Sequence, residues 1–361
     1  MAAPPGERPC LTDLPVDGYD VLLGLEGARR FHPANVRRWV LARGVRDVDA
    51  MTDLPKTFRA ALADEWDVRR TRLALASDSD DGTTKLLLEL RDGQTIESVL
   101  IPEGDRLTLC VSTQVGCGVR CAFCASGLLG VVRDLTSGEI VEQFLEARAL
   151  AAGRGRSLTN LVLMGGGEPL NNFTHVRTAL EALIHADGAA FGARRITVST
   201  IGIPKKIDRL EELGKQVNLA ISLHAPNEAL RGRLIPGLDR VPLDDVLAAA
   251  GRYFRRTGRE ITFEYAVLKG VNDSVECAEE LARRLKGVRG KVNLIPWNPV
   301  ADLPFDRPDD AAVDAMVRTL EARGVRTTVR RSRGRDIDAA CGQLRRRFPT
   351  GDAVRERGAG P

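Results

Sequence analysis

The spacing of apolar residues changes rhythm along the chain. Up to about residue 103, "ANVRRWVLARGV" and "LPKTFRAALADEW" carry apolar residues at helical intervals, with Pro and Gly between them. "KLLLELRDGQTIESVLIP" then reads as two strands about Asp92-Gly93, a hairpin signal. This predicts a small α+β accessory domain over residues 1–103. From Leu107 onward, strand-like runs alternate with helix-like ones. "LTLCVST", "TNLVLMG", "RITVST", "VNLAISL", "ITFEYAVL" and "KVNLIPW" are the strands. "SGEIVEQFLEARALAA", "HVRTALEALI", "PKKIDRLEELG", "LDDVLAAAGRYFRR" and "SVECAEELARRLKG" are the helices between them. "DDAAVDAMVRTLEARG" and "VRTTVRR" add a further pair. Repeated β–α alternation predicts an α/β core over residues 104–344, with helices packed outside a parallel sheet, and a basic tail over 345–361. A full barrel, a partial barrel and a doubly wound sheet all share this pattern.

In such folds the active groups gather where strands end and loops begin. The unusual residues here collect at those ends: Cys117 to Cys124, Gly165 to Pro169, Ser199, Ser222-Leu223-His224 and Trp297-Asn298-Pro299. Their recurrence on one rim predicts one site.

Composition narrows the setting. With 361 residues, 43% apolar and 28% charged, the chain suits a globular protein of one large domain with an appendage. No apolar run approaches the roughly 18 residues of a membrane span, and "MAAPPGERPC" lacks an apolar signal core. The expectation is a cytoplasmic protein with no membrane partner, whose seven cysteines are reduced and whose clustered thiols mean metal or catalysis. A net charge of +4 permits a nucleic-acid partner, and its distribution matters more. Arginines concentrate at Arg29, Arg30, Arg37, Arg38 and Arg43, and again in "VRTTVRRSRGRDIDAACGQLRRRF". A solvated charged face would look the same.

The chemistry starts at "CVSTQVGCGVRCAFC". Cys117, Cys121 and Cys124 form C-x-x-x-C-x-x-C, and three thiolates on one loop can hold three irons of a cubane, leaving the fourth open. A structural zinc site remains the alternative, with Cys110 or His224 as fourth ligand. In "LVLMGGGEPL" the glycines permit close backbone approach, and Glu168 offers a carboxylate suited to an ammonium group. The stretch lacks the Lys-Ser/Thr of a phosphate loop and the full G-x-G-x-x-G pattern.

The cysteine spacing, with Phe123 before the last cysteine and a Gly-Glu-Pro turn after the next strand, resembles the radical S-adenosylmethionine enzymes. That resemblance implies a partial or full β/α barrel, a 4Fe-4S cluster, and S-adenosyl-L-methionine bound to the open iron and cleaved to a 5′-deoxyadenosyl radical. "RRITVSTIGIP", "ISLHAPNEALR", "ITFEYAVLKGVNDS", "VNLIPWNP" and "RRSRGRDIDAACGQL" extend the likeness. From about Met51 to Leu344 the chain is similar to the RlmN/Cfr family of RNA adenine methyltransferases.

Carried over residue by residue, the resemblance implies Cys117, Cys121 and Cys124 as cluster ligands. Gly167, Glu168, Ser199, Ser222, Leu223, His224 and Asn298 would contact S-adenosylmethionine. Cys341 would carry the methyl group, Cys110 would resolve the adduct through a transient disulfide with it, and Glu97 would accept a proton. Two S-adenosylmethionine molecules are then used per turnover, and an electron donor such as flavodoxin or ferredoxin is implied, with ribosomal or transfer RNA as partner and a monomeric enzyme. Cys10 and Cys277 fit no motif and read as structural. "SLHAP" is closer to the RlmN branch, which favours C2 over C8 of the adenine.

The chain departs from the family pattern at Gly166, where Met is usual, in "GLDRVPLDD", and in "VADLPFDRP". The rival readings are C8 methylation, a radical enzyme acting on another substrate, and a non-catalytic zinc or iron–sulfur protein that binds nucleic acid.

Overall fold

The computed structural model describes residues 8–128, 130–238, 240–300, 303–330, 332–339 and 342–343. Its strands in chain order are β1 (Arg72–Asp78), β2 (Thr84–Glu89), β3 (Thr95–Glu103), β4 (Arg106–Cys110), β5 (Gln114–Gly116) and β6 (Val131–Asp134). They continue as β7 (Asn160–Leu163), β8 (Ile196–Thr200), β9 (Asn218–Ser222), β10 (Ile261–Val267), β11 (Gly290–Pro296) and β12 (Thr327–Val329).

A ten-stranded sheet runs in the order β1-β2-β3-β4-β7-β8-β9-β10-β11-β12, and β5 and β6 form a separate hairpin. From β4 to β12 neighbouring strands are parallel, each joined to the next through a helical connection. The order never reverses, so the doubly wound arrangement is excluded; right-handed crossovers that always step the same way stack their helices on one face. β1 and β12 stand at the two edges among the described residues, so the row is open rather than a closed ring. The antiparallel strands β1, β2 and β3 extend this same sheet, with Val99 opposite Cys110 across the β3–β4 pair. The sheet is therefore continuous across residue 103.

Each helix foreseen in the core exists, and its caps explain its limits. Ser137–Gly153 starts in a capping box: Thr136 Oγ1 accepts from the Glu139 N–H, and Glu139 Oε2 accepts from the Thr136 N–H. Asn227 and Ser274 cap Glu228–Leu234 and Val275–Arg284. Helix Leu243–Thr257 stops at Gly258, whose φ of 65° few other residues adopt. In the N-terminal part, His32–Arg37 continues as a π-helical turn over Arg38–Arg43 and ends at Gly44.

Helix Ser137–Gly153 joins the two parts of the molecule. Glu142 is buried and accepts from Thr12 Oγ1 (2.5 Å) and from the N–H groups of Arg70 and Thr71. Glu146 pairs with Arg69 and Arg46. On another side of the helix, Gln143 is fully buried: its Oε1 accepts from Ser98 Oγ and the Ser112 N–H, both at 2.8 Å, and its Nε2 donates to the Ser112 carbonyl at 3.0 Å. One apolar core accordingly runs from Leu11 to Leu320. No helix among the described residues is long and apolar enough to cross a membrane.

Candidate functional site

Ser112 is where the sheet hands over to the site. Its N–H and carbonyl are tied to Gln143, its hydroxyl donates to the Glu97 carbonyl at 2.7 Å, and it accepts the Gly166 N–H at 2.9 Å. β5 follows at once and leads into the cysteine loop, which returns through β6. Gly167, at φ 103°, lies so close to this strand that a Cβ would stand 2.7 Å from the Gln114 amide nitrogen. The Gly-Glu-Pro turn and the cysteine loop are thus packed backbone to backbone. Gln114 completes the join, accepting the Glu168 N–H and donating to Asp134.

The cysteine loop touches several strand ends. The Trp297 indole donates to the Phe123 carbonyl at 2.8 Å, and the Phe123 ring meets His224 edge-on at 4.8 Å. The Ala122 N–H donates to Leu234, and the Ala125 N–H to Gly342, at 2.9 and 2.8 Å. Cys117, Cys121 and Cys124 are partly buried against an apolar cluster containing Val119, Phe123, Leu234, Leu268 and Trp297. Burial pushes the Cys117 thiol up to about 11, aided by the charges of Cys124 and Glu168. Burial also holds Cys121 well above its ordinary value, with Cys124, Cys117 and Glu168 adding to it. Cys117 and Cys121, so placed, become thiolates at physiological pH only with a cation beside them.

Two observations bear on what that cation can be. The first concerns zinc. Neither partner proposed for zinc is available to it: Cys110 packs with Val99 and Ala339, and His224 Nδ1 accepts the Ala266 N–H at 2.8 Å. The second is Arg231, fully buried, with Nη2 donating to the Ile201 carbonyl while Nε and Nη1 have no hydrogen-bond partner. Burial lowers Arg231 to about 10, and the charges of Cys121 and Glu228 act the other way. A buried guanidinium with unpaired N–H groups beside a thiol calls for an anion. A cubane on three thiolates is net negative, so the residues present fit it.

Of the residues assigned to S-adenosylmethionine, Gly167 and Glu168 pack on the strand that leads into this loop, His224 meets Phe123 within it, and Asn298 follows Trp297, which is bound to it. Glu168 is buried at the turn after β7; Oε1 accepts from Thr200 Oγ1 at 2.6 Å and from the Leu170 N–H, and Oε2 from the Ile201 N–H at 2.9 Å. Burial raises its pKa and these bonds oppose the rise. The carboxylate therefore locks its turn onto the end of β8, beside Ser199, leaving it limited capacity for an ammonium group. Leu223 and His224 follow Ser222 at the end of β9, their N–H groups both donating to the Glu264 carbonyl. His224 has φ 58°, and burial with the nearby Arg231 charge lowers its pKa to about 3. It is neutral at physiological pH, and with Nδ1 accepting, its proton sits on Nε2. Asn298 is buried past β11, and Arg307 reaches its Oδ1 at 3.4 Å.

On the β2–β3–β4 side, Lys85, Val99 and Cys110 lie in one cross-strand row. Glu97, also on β3, is buried and pairs with Lys85 Nζ at 3.2 Å. Glu97, Ile96, Ser112, Gln114, Ser126 and Gly166 line a narrow cleft. Cys341 lies outside the described residues, as do Leu344 and the 345–361 tail. Its neighbours are described: Ala339 packs in the cluster of Val99 and Cys110, and Gly342 accepts from Ala125 next to Cys124. No disulfide joins any two of the described cysteines. Cys10 is buried beside Thr12 and Glu142, and Cys277 lies on helix Val275–Arg284; neither is near these groups in the sheet.

Sequence reasoning missed Gln143, Arg231 and Glu264. Glu264 is buried on β10 in a polar row with Ser222, Asn293 and Thr328, and Asn293 Nδ2 donates to its Oε2 at 2.7 Å. A carboxylate inside the apolar run "ITFEYAV" was the available signal. Of the first arginine cluster, Arg29, Arg30, Arg38 and Arg43 are exposed, while Arg37 is bound to the Val16 carbonyl and Asp187.

Comparison with known proteins agrees with this geometry. Residues 111–285 match the Radical SAM superfamily, and residues 11–68 match the ribosomal RNA large subunit methyltransferase N-terminal domain. A dual-specificity RNA methyltransferase RlmN from Anaeromyxobacter sp. (strain Fw109-5) is 45% identical, over 98% of this chain and 97% of that one. A probable enzyme of the same description from Thermosynechococcus vestitus is 46% identical over 89% of this chain and 93% of its own length. The crystal structure of a radical SAM methyltransferase from Sphaerobacter thermophilus superposes with TM-score 0.90 at 47% identity, covering 93% of this chain and 99% of that one.

Proposed function

Because the chain belongs to the RlmN family of radical S-adenosylmethionine RNA methyltransferases, we propose that it methylates C2 of an adenine in both ribosomal and transfer RNA. The observation that supports the mechanism is that the described neighbours of Cys341 in the chain reach both groups: Ala339 packs with Cys110, and the Gly342 carbonyl accepts the Ala125 N–H beside the cluster loop.

Cys117, Cys121 and Cys124 would hold the cluster, sheltered by Phe123 and Trp297, with Arg231 balancing its charge. When bound, the cluster and S-adenosylmethionine supply a methyl group and a hydrogen-abstracting radical. Gly167, Glu168, Ser199, Ser222, Leu223, His224 and Asn298 form the rim that orients the cofactor, and the Nε2–H of His224 is a fixed donor there. Cys341 carries the methyl carbon to the base and is left joined to it through sulfur. Glu97, held against Lys85, would take the ring proton, and one electron must leave the base with it, returning the electron spent in making the radical, so that the sulfur-linked adduct is closed-shell. The Cys110 thiolate attacks the Cys341 sulfur; an S–S bond forms as the S–C bond breaks, and the electron pair leaves on carbon, which takes a proton to become the methyl group. The two thiols give up two electrons in all, and a thiol reductant of the cytosol restores them. A flavodoxin or ferredoxin would feed the cluster, and the exposed Arg29, Arg30, Arg38 and Arg43 of the N-terminal unit would meet RNA phosphates.

Nucleoside mass spectrometry of ribosomal and transfer RNA, from cells with and without the gene, tests the assignment. The reading requires 2-methyladenosine to vanish from both pools; an unchanged amount in both contradicts it, and loss of 8-methyladenosine instead corrects the ring position.

A further inference from the structure

Outside the site, the turn between β1 and β2 is bound to the segment that leads to Cys341. Ser79 Oγ donates to Asp336 Oδ1 at 2.5 Å, and the Asp80 N–H to Asp336 Oδ2 at 3.3 Å. In return the Gly334 N–H donates to Asp81 Oδ2 at 2.9 Å. Gly334, at φ 63°, is pressed against Thr83 and Ala339, and its carbonyl accepts the Ala339 N–H at 2.8 Å. Ala339 in turn packs on Val99 and Cys110.

We propose that the Ser79–Thr83 turn is a clamp that positions the Cys341 segment for methyl transfer. This rests on the reading of Cys341 as the methyl carrier. Residues 332–339 belong to no helix or strand, so no regular backbone ladder fixes them. Ordering such a segment is opposed by chain entropy, and bonds to a rigid hairpin supply the compensation. The turn is itself preorganised: the Ser79 N–H donates to the Thr83 carbonyl, the Gly82 N–H to the Ser79 carbonyl, and the Thr83 N–H to Asp81. Burial would raise the Asp81 carboxyl, but bonds from Thr83 and the Gly334 N–H hold it at about 2, so it is a permanent acceptor at working pH. Asp81, Ser79 and Asp336 act through the segment they hold and are positioning residues.

The consequence is a loss of coupling rather than of radical generation. A reactive carbon held on a loosely placed segment meets the base less often, while cofactor cleavage continues. The test uses the reconstituted holoenzyme with RNA and compares Asp336→Ala, Asp336→Asn and the double variant Asp81→Ala/Asp336→Ala with wild type. The readouts are iron content and the ratio of 5′-deoxyadenosine to methyladenosine formed. With iron unchanged, the ratio rises about ten-fold or more in the double variant, less in Asp336→Ala, and partly recovers in Asp336→Asn. A wild-type ratio in the double variant overturns the clamp, as does loss of iron in step with loss of product, which would mark the turn as a general support of the fold. Cys341→Ala is run in parallel: if it still methylates RNA, the carrier reading fails, whereas a dead Cys341→Ala beside wild-type clamp variants refutes the clamp alone.

Discussion

Replacing Gln143 by leucine probes how the scaffold holds the reaction centre. Gln143 is fully buried and is the described partner of both the N–H and the carbonyl of Ser112, at 2.8 and 3.0 Å. Ser112 is only 2% exposed, so water cannot take over readily. Each buried group left unpaired costs about 1–3 kcal/mol, giving roughly 2–6 kcal/mol for the two. Removing the glutamine's own buried amide, and the freedom of the Ser98 hydroxyl to turn, return part of this, so the expected loss is about 2–4 kcal/mol. Urea unfolding of the anaerobic apoprotein should show the midpoint falling with little change in slope. Because Ser112 also holds the Glu97 carbonyl and the Gly166 N–H, RNA methylation should fall even where the variant remains folded. Gln143→Glu adds a sign. A carboxyl at this site has its folded-state pKa raised by burial, so the variant is closest to wild type at low pH. Its deficit grows as the pH rises above about 4.3, the unfolded value. A loss under about 0.5 kcal/mol in Gln143→Leu would refute the argument, since that is the range of a surface substitution.

The glycine turn gives a paired prediction. Gly167→Ala places a Cβ 2.7 Å from the Gln114 backbone at φ 103°, and should cost about 2–4 kcal/mol by thermal or urea unfolding. Gly166→Met, which restores the usual family residue, places its Cβ 3.3 Å from Ser112 Oγ and 3.5 Å from the Gln114 carbonyl oxygen, with nothing under 3.0 Å, and should change stability by under about 1 kcal/mol. The buried Lys85–Glu97 pair predicts that Lys85→Met alone costs about 3–5 kcal/mol, and that adding Glu97→Gln recovers part of it; a double-mutant cycle measures the coupling. In metal-free protein, alkylation of Cys117 followed by mass spectrometry should have its midpoint near 11, and a midpoint at the ordinary thiol value would show that the loop is not desolvated. His224 should stay neutral, protonated on Nε2, from pH 8 down past pH 5 in nitrogen-15 NMR, since burial holds its pKa at about 3.

What the sequence made legible, and what it hid, follows from where information sits. The parallel strands from β4 to β12 stood out because each is a short apolar run bounded by Gly, Pro or polar residues. Their order did not, since pattern is silent about which way each crossover steps. β1, "RLALASD", was missed because its burial is only partial and no clean alternation marks it. The β5–β6 hairpin was missed because the whole cysteine loop lies between its strands. Helix Glu228–Leu234 is short and contains Gly232, which masks its spacing. The cluster loop could be read directly, since ligand chemistry demands cysteine at set intervals. Gln143, Glu142 and Arg231 could not: each looks like the polar face of a helix and is buried only because a second layer covers it. The departure at Gly166 acquires a physical meaning from the structure, for it borders the cleft that Glu97 lines.

Two thiols far apart in the chain carry the account, and trapping the adduct tests them most directly. Holoenzyme variants are incubated with labelled RNA and S-adenosylmethionine, then run on a denaturing gel. Cys110→Ala should accumulate RNA covalently attached to the protein, with the attachment mapped by mass spectrometry to Cys341, while Cys341→Ala should form none. An adduct in Cys341→Ala, or none in Cys110→Ala with the cluster intact, would contradict the account.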